Sequence, residues 1–235
     1  RQSHRAWVRN EGKGNHGREL GRQGQVSEFV VTARVCQSNA EQFPDILRLY
    51  VPPPAKVLDM TYGNGVFWKQ VEGKYNVTKN DIDPDRGDTH HDFTALPSRW
   101  RERFDCVILD PPFLLTGGWK TLKTSIDRGY QNRARSSRGI SGAAKVMQMY
   151  AGAMIEAHRV LGNKGILVCK TMDQVESGKQ QWMSMRLLTI GDLLGFDSVD
   201  WFIMVNANIP TMRHERQVHA RRNHSHWLVF RKRNR

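Results

Sequence analysis

The segment KVLDMTYGNG, residues 56–65, is a short apolar run that ends in an acid and a glycine-x-glycine turn. The apolar residues of Lys56 to Met60 predict a buried strand. Glycines after a strand let a ligand approach the backbone closely, and ligands of open α/β sheets bind at the carboxyl edge of the strands. The segment therefore predicts a strand followed by a ligand-binding turn. The candidate ligand-binding residues of this turn are Asp59, Thr61, Tyr62, Gly63 and Gly65.

Strands and helices alternate on both sides of this segment. The predicted strands cover residues 56–60, 75–81, 105–110, 165–170, 198–205 and 226–231. The predicted helices cover residues 39–50, 145–161 and 182–194, and a turn is predicted at 162–165. This alternation predicts a mostly parallel α/β sheet with helices on both faces. At 235 residues the chain fits a single domain, which we expect at residues 26–235 behind a flexible basic arm at residues 1–25.

Further acids follow the glycine turn. Asp81 and Asp83 close the second predicted strand about twenty residues beyond the glycines, where an acid accepts ribose hydroxyls. Asp92 is placed to accept a hydrogen bond from an adenine amino group. A carboxylate at Asp59 disfavours a pyrophosphate and favours a ligand that carries an ammonium group. The ordered series of acids predicts a nucleotide-like ligand with a positively charged end.

The strongest local signal is Asp110-Pro111-Pro112-Phe113, which follows the apolar strand 105–110. A carboxylate that closes a buried run needs a partner, and the adjacent aromatic ring is well placed to stack on a base. We expect these four residues to bind the group that reacts.

Taken together, these motifs resemble the Rossmann-like amino-methyltransferases, and DPPF is similar to their (D/N/S)PP(Y/F/W) signature. The resemblance covers roughly residues 36–231, and residues 39–50 resemble the cofactor-flanking motif placed ahead of the glycine motif. It implies a seven-stranded sheet, S-adenosylmethionine as cofactor and an amine as methyl acceptor. The turn TYGNG departs from the usual F-x-G-x-G, since Tyr62 replaces a small residue.

The resemblance also implies a mechanism. Asp110 and the carbonyl of Pro111 each accept one N–H of a base amino group and aim its lone pair at the methyl sulfonium. Phe113 stacks on the base, which leaves the helix to enter the pocket. Transfer is then direct, through proximity and orientation.

Several acceptors and one silent alternative remain open. The first hypothesis is a DNA adenine-N6 methyltransferase, and the alternatives are an RNA guanine-N2 enzyme and a DNA cytosine-N4 enzyme. A catalytically silent nucleic-acid-binding subunit is the non-enzymatic alternative. No separate target-recognition domain is predicted within these residues, so we expect sequence choice to depend on loops, a homodimer or a partner subunit.

The charge of the chain favours a nucleic-acid partner. Lysine and arginine number 36 against 23 acids, a formal net charge of +13, and a polyanion is the natural partner of such an excess. A long basic loop, or a loop followed by a helix, is predicted at residues 114–142 after the DPPF motif, and a second basic stretch precedes the last strand. Their candidate nucleic-acid contacts are Lys120, Lys123, Arg128, Arg133, Arg135, Arg138, Arg213, Arg216, Arg221 and Arg222.

Composition excludes other classes of protein. The hydrophobic fraction of 39% suits a globular chain, and no apolar run reaches the roughly 18 residues that a membrane span needs. The three cysteines form no CxxC pair, and the histidines near the carboxyl terminus match no ligand spacing, so no metal site is predicted. Cys106 and Cys169 are expected to be buried thiols, which points to a reducing, cytoplasmic compartment.

Overall fold

The structure, a computed structural model, describes residues 34–36, 38–71, 73–112, 142–176, 178–206, 218–220 and 222–234. These residues form nine strands in two sheets. The strands are β1 (Arg34–Cys36), β2 (Lys56–Asp59), β3 (Asn76–Lys79), β4 (Phe104–Leu109), β5 (Leu161–Thr171), β6 (Gln174–Glu176), β7 (Lys179–Gln181), β8 (Phe196–Asn206) and β9 (His224–Lys232). The helices are α1 (Asn39–Tyr50), α2 (Gly142–Val160) and α3 (Met183–Leu193), and short 3-10 helices span Val66–Gln70 and Ser98–Trp100.

Seven strands form the main sheet in the order β1-β8-β9-β5-β4-β2-β3. All neighbours pair in parallel except β9, which is antiparallel to both β5 and β8. The chain leaves β2 toward β3 on one side, then returns to build β4 and β5 on the other. The carboxyl ends of β2 and β4 therefore form a topological switch point, where ligands of such sheets bind.

Helices cover both faces of this sheet. On one face, α2 and α3 bury a core that includes Tyr150, Met154 and Leu187. On the other face, Phe43 of α1 packs against Trp227 of β9, with ring centroids 5.8 Å apart. Phe43 also meets Trp68 of the first 3-10 helix at 5.1 Å. The expected single α/β domain with helices on both faces is confirmed.

The central strands are apolar along their length because they have no solvent face. Residues Cys106 to Leu109 of β4 are fully buried, as is the run Leu167 to Cys169 of β5. The expectation that Cys106 and Cys169 are buried thiols is confirmed. No described helix has both the length and the hydropathy that a membrane crossing requires.

Some predicted boundaries were wrong. Helix α2 begins at Gly142 rather than Lys145. The predicted turn at 162–165 lies inside β5. There the pairing jumps from Phe104 opposite Leu161 to Cys106 opposite Ile166, so the turn is an extra segment that leaves the ladder and rejoins it.

Three strands were missed by the sequence analysis. They are β1 and the antiparallel hairpin of β6 and β7. Each is three residues long, too short to show an alternating pattern. The predicted arm at residues 1–25 and residues 114–141 of the predicted basic loop lie outside the described residues.

Candidate active site

The carboxyl ends of four parallel strands carry the polar residues of the candidate site. Asp59 ends β2, Asp81 comes shortly after β3, Asp110 follows β4 and Lys170 lies near the end of β5. Because β2, β3, β4 and β5 are parallel neighbours, these ends share one edge of the sheet. The parallel topology therefore places Asp59, Asp81 and Asp110 at the same edge of the sheet.

The glycine turn is organised by Asp59, which is only 1% exposed. One carboxylate oxygen accepts the backbone N–H of Thr61 at 3.0 Å, and the other accepts the indole N–H of Trp68 at 2.8 Å. These bonds hold the turn against the 3-10 helix that follows it. Asp59 therefore has a structural role in addition to any contact with a ligand.

Asp81 joins the end of β3 to the same turn. Its Oδ2 accepts the backbone N–H of Gly63 at 2.8 Å, and its Oδ1 accepts the backbone N–H of Asp83 at 3.0 Å. Each carboxylate oxygen has a second lone pair. Asp81 is therefore fixed in position while keeping acceptor capacity for hydroxyl groups.

Tyr62 fills the space beside Gly65. The backbone of Gly65 is left-handed at φ +65°, and a Cβ there would lie 2.7 Å from Cζ of Tyr62. The Lys79 ammonium lies 5.3 Å from the centre of the same ring. The absence of a side chain at Gly65 therefore leaves room for the Tyr62 ring. The sequence analysis had interpreted this glycine as leaving room for a ligand.

Asn80 is a further residue of the site that the sequence analysis missed. It is fully buried, and its Nδ2 donates to the carbonyls of Met60 at 3.2 Å and His91 at 2.9 Å. Its Oδ1 accepts from the backbone N–H of His91 and the hydroxyl of Thr89, both at 3.0 Å. Asn80 thus joins three segments of the edge, and only its position beside Asp81 marked it in the sequence.

Asp110 follows β4 and is held from two sides. Its backbone N–H donates to the hydroxyl of Thr61 at 2.8 Å, and its Oδ2 lies 3.4 Å from Nζ of Lys170. Its Oδ1 is buried and has no hydrogen-bond partner among the described residues. Burial raises the pKa of Asp110, and the Lys170 ammonium partly offsets this rise. A carboxylate oxygen is thereby left ready to accept a hydrogen bond.

Lys170 was also missed by the sequence analysis. It is 6% exposed, and its ammonium lies 5.8 Å from the ring centre of Phe67 and 5.6 Å from that of Trp227. Aromatic faces attract a cation at such distances. Lys170 places a buried positive charge directly beside Asp110.

The site is nonetheless rich in negative charge. Burial raises the pKa of Asp59 to about 7, against the lowering effect of hydrogen bonds from Trp68 and Thr61, and the charges of Asp110 and Asp81 add to the rise. Asp59 thus lies within electrostatic reach of both other carboxylates. A cation that entered this edge would relieve the repulsion on Asp59.

Other predicted residues lie in turns beside the site. Asp83 accepts from the backbone N–H of Asp85 at 3.0 Å and pairs with Arg86 at 3.3 Å. Asp92 accepts from the N–H and hydroxyl of Thr94 at 2.9 and 2.7 Å. Both carboxylates therefore stabilise local turns, and their proposed contacts with a ligand stay predictions.

The remaining predicted site residues divide into described and undescribed ones. Pro111 is buried and Pro112 is partly exposed. Arg222 lies at the β6–β7 hairpin, where its Nη2 donates to Oε1 of Gln180 at 2.9 Å. Outside the described residues lie Phe113, Lys120, Lys123, Arg128, Arg133, Arg135, Arg138, Arg213, Arg216 and Arg221. Within the described part of the chain, no group of three or more His, Cys, Asp or Glu side chains is arranged to hold a metal ion.

Comparison with known proteins gives likenesses of structure. No protein-family profile matches the chain, and no curated protein sequence matches it. The 1,6-didemethyltoxoflavin-N1-methyltransferase of Burkholderia thailandensis, solved with 1,6-didemethyltoxoflavin and S-adenosylhomocysteine, aligns with 84% of this chain and 80% of its own at 13% identity and a TM-score of 0.54. A Bacillus halodurans C-125 protein, provisionally described as a methyltransferase, aligns over 82% and 99% at 14% identity and a TM-score of 0.52.

A third solved structure has a different activity. The 4+2 cyclase SpnF aligns with 83% of this chain and 80% of its own, at 13% identity and a TM-score of 0.51. Likeness at such identities shows the fold alone. The chain therefore has the Rossmann-like methyltransferase fold, and its reaction must be argued from the site, because one fold hosts several reactions.

Proposed function

We propose that this protein is an S-adenosylmethionine-dependent methyltransferase that methylates an exocyclic amino group of a nucleic-acid base. The first acceptor we propose is N6 of adenine in DNA. One observation carries the proposal: Asp110, at the switch point of a Rossmann-like methyltransferase fold, keeps a buried carboxylate oxygen without a partner among the described residues. An N–H of the methyl-accepting amino group would donate a hydrogen bond to this oxygen. Such a bond is favourable because a buried polar atom without a partner destabilises the folded protein.

The acids of the site fit a cationic cofactor. S-adenosylmethionine carries a sulfonium and an ammonium, and the buried Asp59 carboxylate is repelled by the charges of Asp110 and Asp81. Asp81 has acceptor capacity for the ribose hydroxyls. Ile82 beside it is 51% exposed, which offers an apolar surface to the adenine ring. These residues fit S-adenosylmethionine as the cofactor, which would supply an activated methyl group.

The start of α1 supports the same cofactor. Gln42 is 1% exposed, yet neither its Nε2 nor its Oε1 has a hydrogen-bond partner among the described residues, and the same holds for Oδ1 of Asn39. The adjacent Phe43 packs 5.3 Å from Phe67, two residues beyond Gly65. Buried polar atoms left unpaired in a helix that packs against the segment after the glycine turn fit a polar ligand such as the amino-acid end of the cofactor.

The chemistry follows from the acceptor group. A base amino nitrogen is a poor nucleophile because its lone pair is conjugated into the ring. Asp110 Oδ1 accepts one N–H, and the carbonyl of Pro111 accepts the other, which directs the lone pair toward the methyl carbon. When bound, S-adenosylmethionine would supply the methyl group, with the N–C bond formed as the S–C bond is broken. The Asp110 carboxylate, which accepts a hydrogen bond from the amino group, would accept the proton that the nitrogen gives up.

Lys170 supports this role by positioning Asp110. Its ammonium holds Oδ2 at 3.4 Å, so the other oxygen is the one presented to the acceptor. It also lowers the pKa that burial raises, which favours the ionised form that accepts hydrogen bonds. The neutral form of a carboxyl would present one acceptor fewer.

The proposal is tested by transfer of labelled methyl groups to duplex DNA and to structured RNA. Asp110→Asn keeps the shape of the side chain and removes its charge, so we expect a rate loss of about 100-fold or more with cofactor binding retained by calorimetry. Asp105→Asn, at an exposed position of the same strand, is the matched control.

Product analysis separates the alternatives. N6-methyladenine in DNA would support the first acceptor. N2-methylguanine in RNA would support the RNA guanine-N2 enzyme, and N4-methylcytosine in DNA would support the cytosine-N4 enzyme. Cofactor binding without transfer to any of them would contradict an enzyme that acts alone on nucleic acid. Absence of cofactor binding would favour the silent subunit.

A further inference from the structure

The β6–β7 hairpin and its neighbours form an exposed surface with an aromatic ring at its centre. We name it the hairpin surface and define it by Lys179, Gln180, Trp182, Arg186 and Arg222. Trp182 is 50% exposed, although indole rings are usually largely buried. We propose that the hairpin surface binds a strand of nucleic acid, with an unpaired base stacked on Trp182. This inference rests on the proposed function, because it takes nucleic acid as the substrate.

The ring is paired with an arginine. The guanidinium carbon of Arg222 lies 5.4 Å from the centre of the Trp182 ring, within the range of a cation–π contact. Bases stack on aromatic rings and on guanidinium planes alike. The Trp182 ring therefore offers a flat apolar surface to a base, and Arg222 offers a positive charge to the phosphate of the same nucleotide.

Hydrogen bonds hold the pair in place. Nη2 of Arg222 donates to Oε1 of Gln180 at 2.9 Å, and Nε2 of Gln180 donates to the carbonyl of Gln174 at 3.0 Å. The ring nitrogen Nε2 of His219 lies 2.9 Å from the carbonyl of Gly178 at the tip of the hairpin. The segment before β9 is thereby fastened to the hairpin, and the arginine is ordered before any ligand arrives. A preordered contact residue loses less entropy on binding.

The surface lies next to the candidate active site along the chain. The hairpin begins at Gln174, four residues after Lys170, so the intervening chain spans at most about 14 Å. Asp173 lies between them and accepts from the N–H and hydroxyl of Ser184, both at 2.9 Å. These bonds fasten the start of α3, and with it Trp182, to the end of β5. A nucleic-acid strand with one base bound at Asp110 could therefore also reach the hairpin surface.

The hairpin also contacts the start of α2. The carboxylate of Glu176 accepts the backbone N–H of Ala143 at 3.2 Å, in the first turn of that helix. The hairpin is thereby fastened to α2 as well as to the segment before β9.

Charge selects the occupant. Lys179 and Arg186 are exposed, and with Arg222 they give the surface three positive charges. The two acids nearest in sequence are engaged: Asp173 is buried with Ser184 and His226, and Glu176 bonds Ala143. The whole chain carries a net charge of +13. Positive charge beside an exposed indole matches a strand of nucleic acid, whose phosphates and base faces it complements.

The test is binding of a fluorescently labelled single-stranded oligonucleotide, followed by anisotropy at fixed salt with S-adenosylhomocysteine present. We expect Trp182→Ala to raise Kd about tenfold and Trp182→Phe to stay within about threefold, because a phenyl ring retains most of the stacking. Leu193→Ala is the matched control, since Leu193 is a 78% exposed apolar residue at the other end of the same helix. Arg222→Gln should reduce the salt slope by about one.

Circular dichroism and thermal unfolding establish that each variant folds, and the Phe variant keeps the test decisive if the Ala variant does not. Equal affinities of wild type, Trp182→Ala and Trp182→Phe would overturn the inference. So would a loss of affinity in Leu193→Ala as large as in Trp182→Ala. Methyl transfer is read separately: transfer at the wild-type rate with unchanged binding in Trp182→Ala leaves the proposed function standing without the hairpin surface. A wild-type protein that neither binds nor methylates DNA or RNA overturns both.

Discussion

Lys170 and Asp110 form an ion pair at adjacent strand ends, with 3.4 Å between the ammonium and a carboxylate oxygen. The pairing register produces this contact, because Leu109 of β4 lies opposite Cys169 of β5 and the next residue of each strand is a member of the pair. A largely buried ion pair adds little net stability by itself. Its effect is on the position and protonation of Asp110.

The pair predicts a change in the pH dependence of methyl transfer. Lys170→Met removes the charge that lowers the pKa of Asp110, so the pKa rises and the ionised carboxylate exists only at higher pH. We expect the acidic limb of the kcat/KM profile to move to higher pH, so that the loss of activity is larger on the acidic side of the profile than on the basic side.

Lys170→Arg is the control for this profile, since it keeps the charge and should move the acidic limb much less. KM for S-adenosylmethionine should change little in either variant. A rate loss of equal size at every pH would assign Lys170 a packing role only.

Asp59 predicts proton release when the cofactor binds. Burial raises the pKa of Asp59 to about 7, so near neutral pH about half of the free protein holds this proton. A cationic ligand favours the ionised form and expels the proton. We expect affinity for S-adenosylmethionine to rise from pH 6 to pH 8, with proton release detected by calorimetry in buffers of different ionisation enthalpy.

S-adenosylhomocysteine is the matched ligand, because it lacks the sulfonium charge and should release fewer protons. Identical proton release by both ligands would contradict a role for the sulfonium charge at this site.

The raised pKa of Asp59 also makes stability depend on pH. Folding binds a proton between about pH 4 and 7, so this contribution to stability is complete below about pH 4 and is lost as the pH rises through about 7.

Much of the fold was predictable because the central strands are apolar and the glycine turn marks one strand end. Asp59 and Asp110 each follow an apolar run, whereas Asp81 follows the mostly polar sequence NVTKN. Parallel strands bring the three strand ends together. The proposed contacts of these acids with ligands stay predictions. The partner of a side chain across the sheet could not be predicted in this way, since it depends on the register between strands.

Lys170 illustrates what the sequence does not reveal. A lysine at the end of the run GILVCK is typical of a strand that reaches solvent, and its partner Asp110 is 60 residues away. Only the register of β4 and β5 brings the two charges together. The β6–β7 hairpin was missed for a related reason, because three-residue strands acquire their structure from each other and from Arg222.

Asn80 predicts a large loss of stability on substitution. Asn80→Ala leaves buried carbonyls of Met60 and His91 without their amide donor. We expect the free energy of unfolding to fall by about 2–4 kcal/mol, measured by urea denaturation. Asn76→Ala, at an exposed position of the same strand, is the control and should change it by less than about 0.5 kcal/mol. Equal losses in the two variants would show that the amide network of Asn80 contributes nothing.

Gly65 and Tyr62 predict a coupled pair of substitutions. Gly65→Ala should lower stability for two reasons. The backbone is left-handed at φ +65°, and the new Cβ would lie 2.7 Å from Cζ of Tyr62. For Gly73→Ala only the first reason applies, since its φ is +78° and nothing lies within 4 Å of its Cβ. We expect Gly73→Ala to cost about 1–2 kcal/mol and Gly65→Ala to cost more in urea denaturation. Adding Tyr62→Ala to Gly65→Ala should recover the difference and no more, because removal of the ring relieves the contact and leaves the backbone strained. Additive effects of the two substitutions would mean that the Tyr62 ring does not occupy the space above the glycine, and that the space is open to a ligand instead.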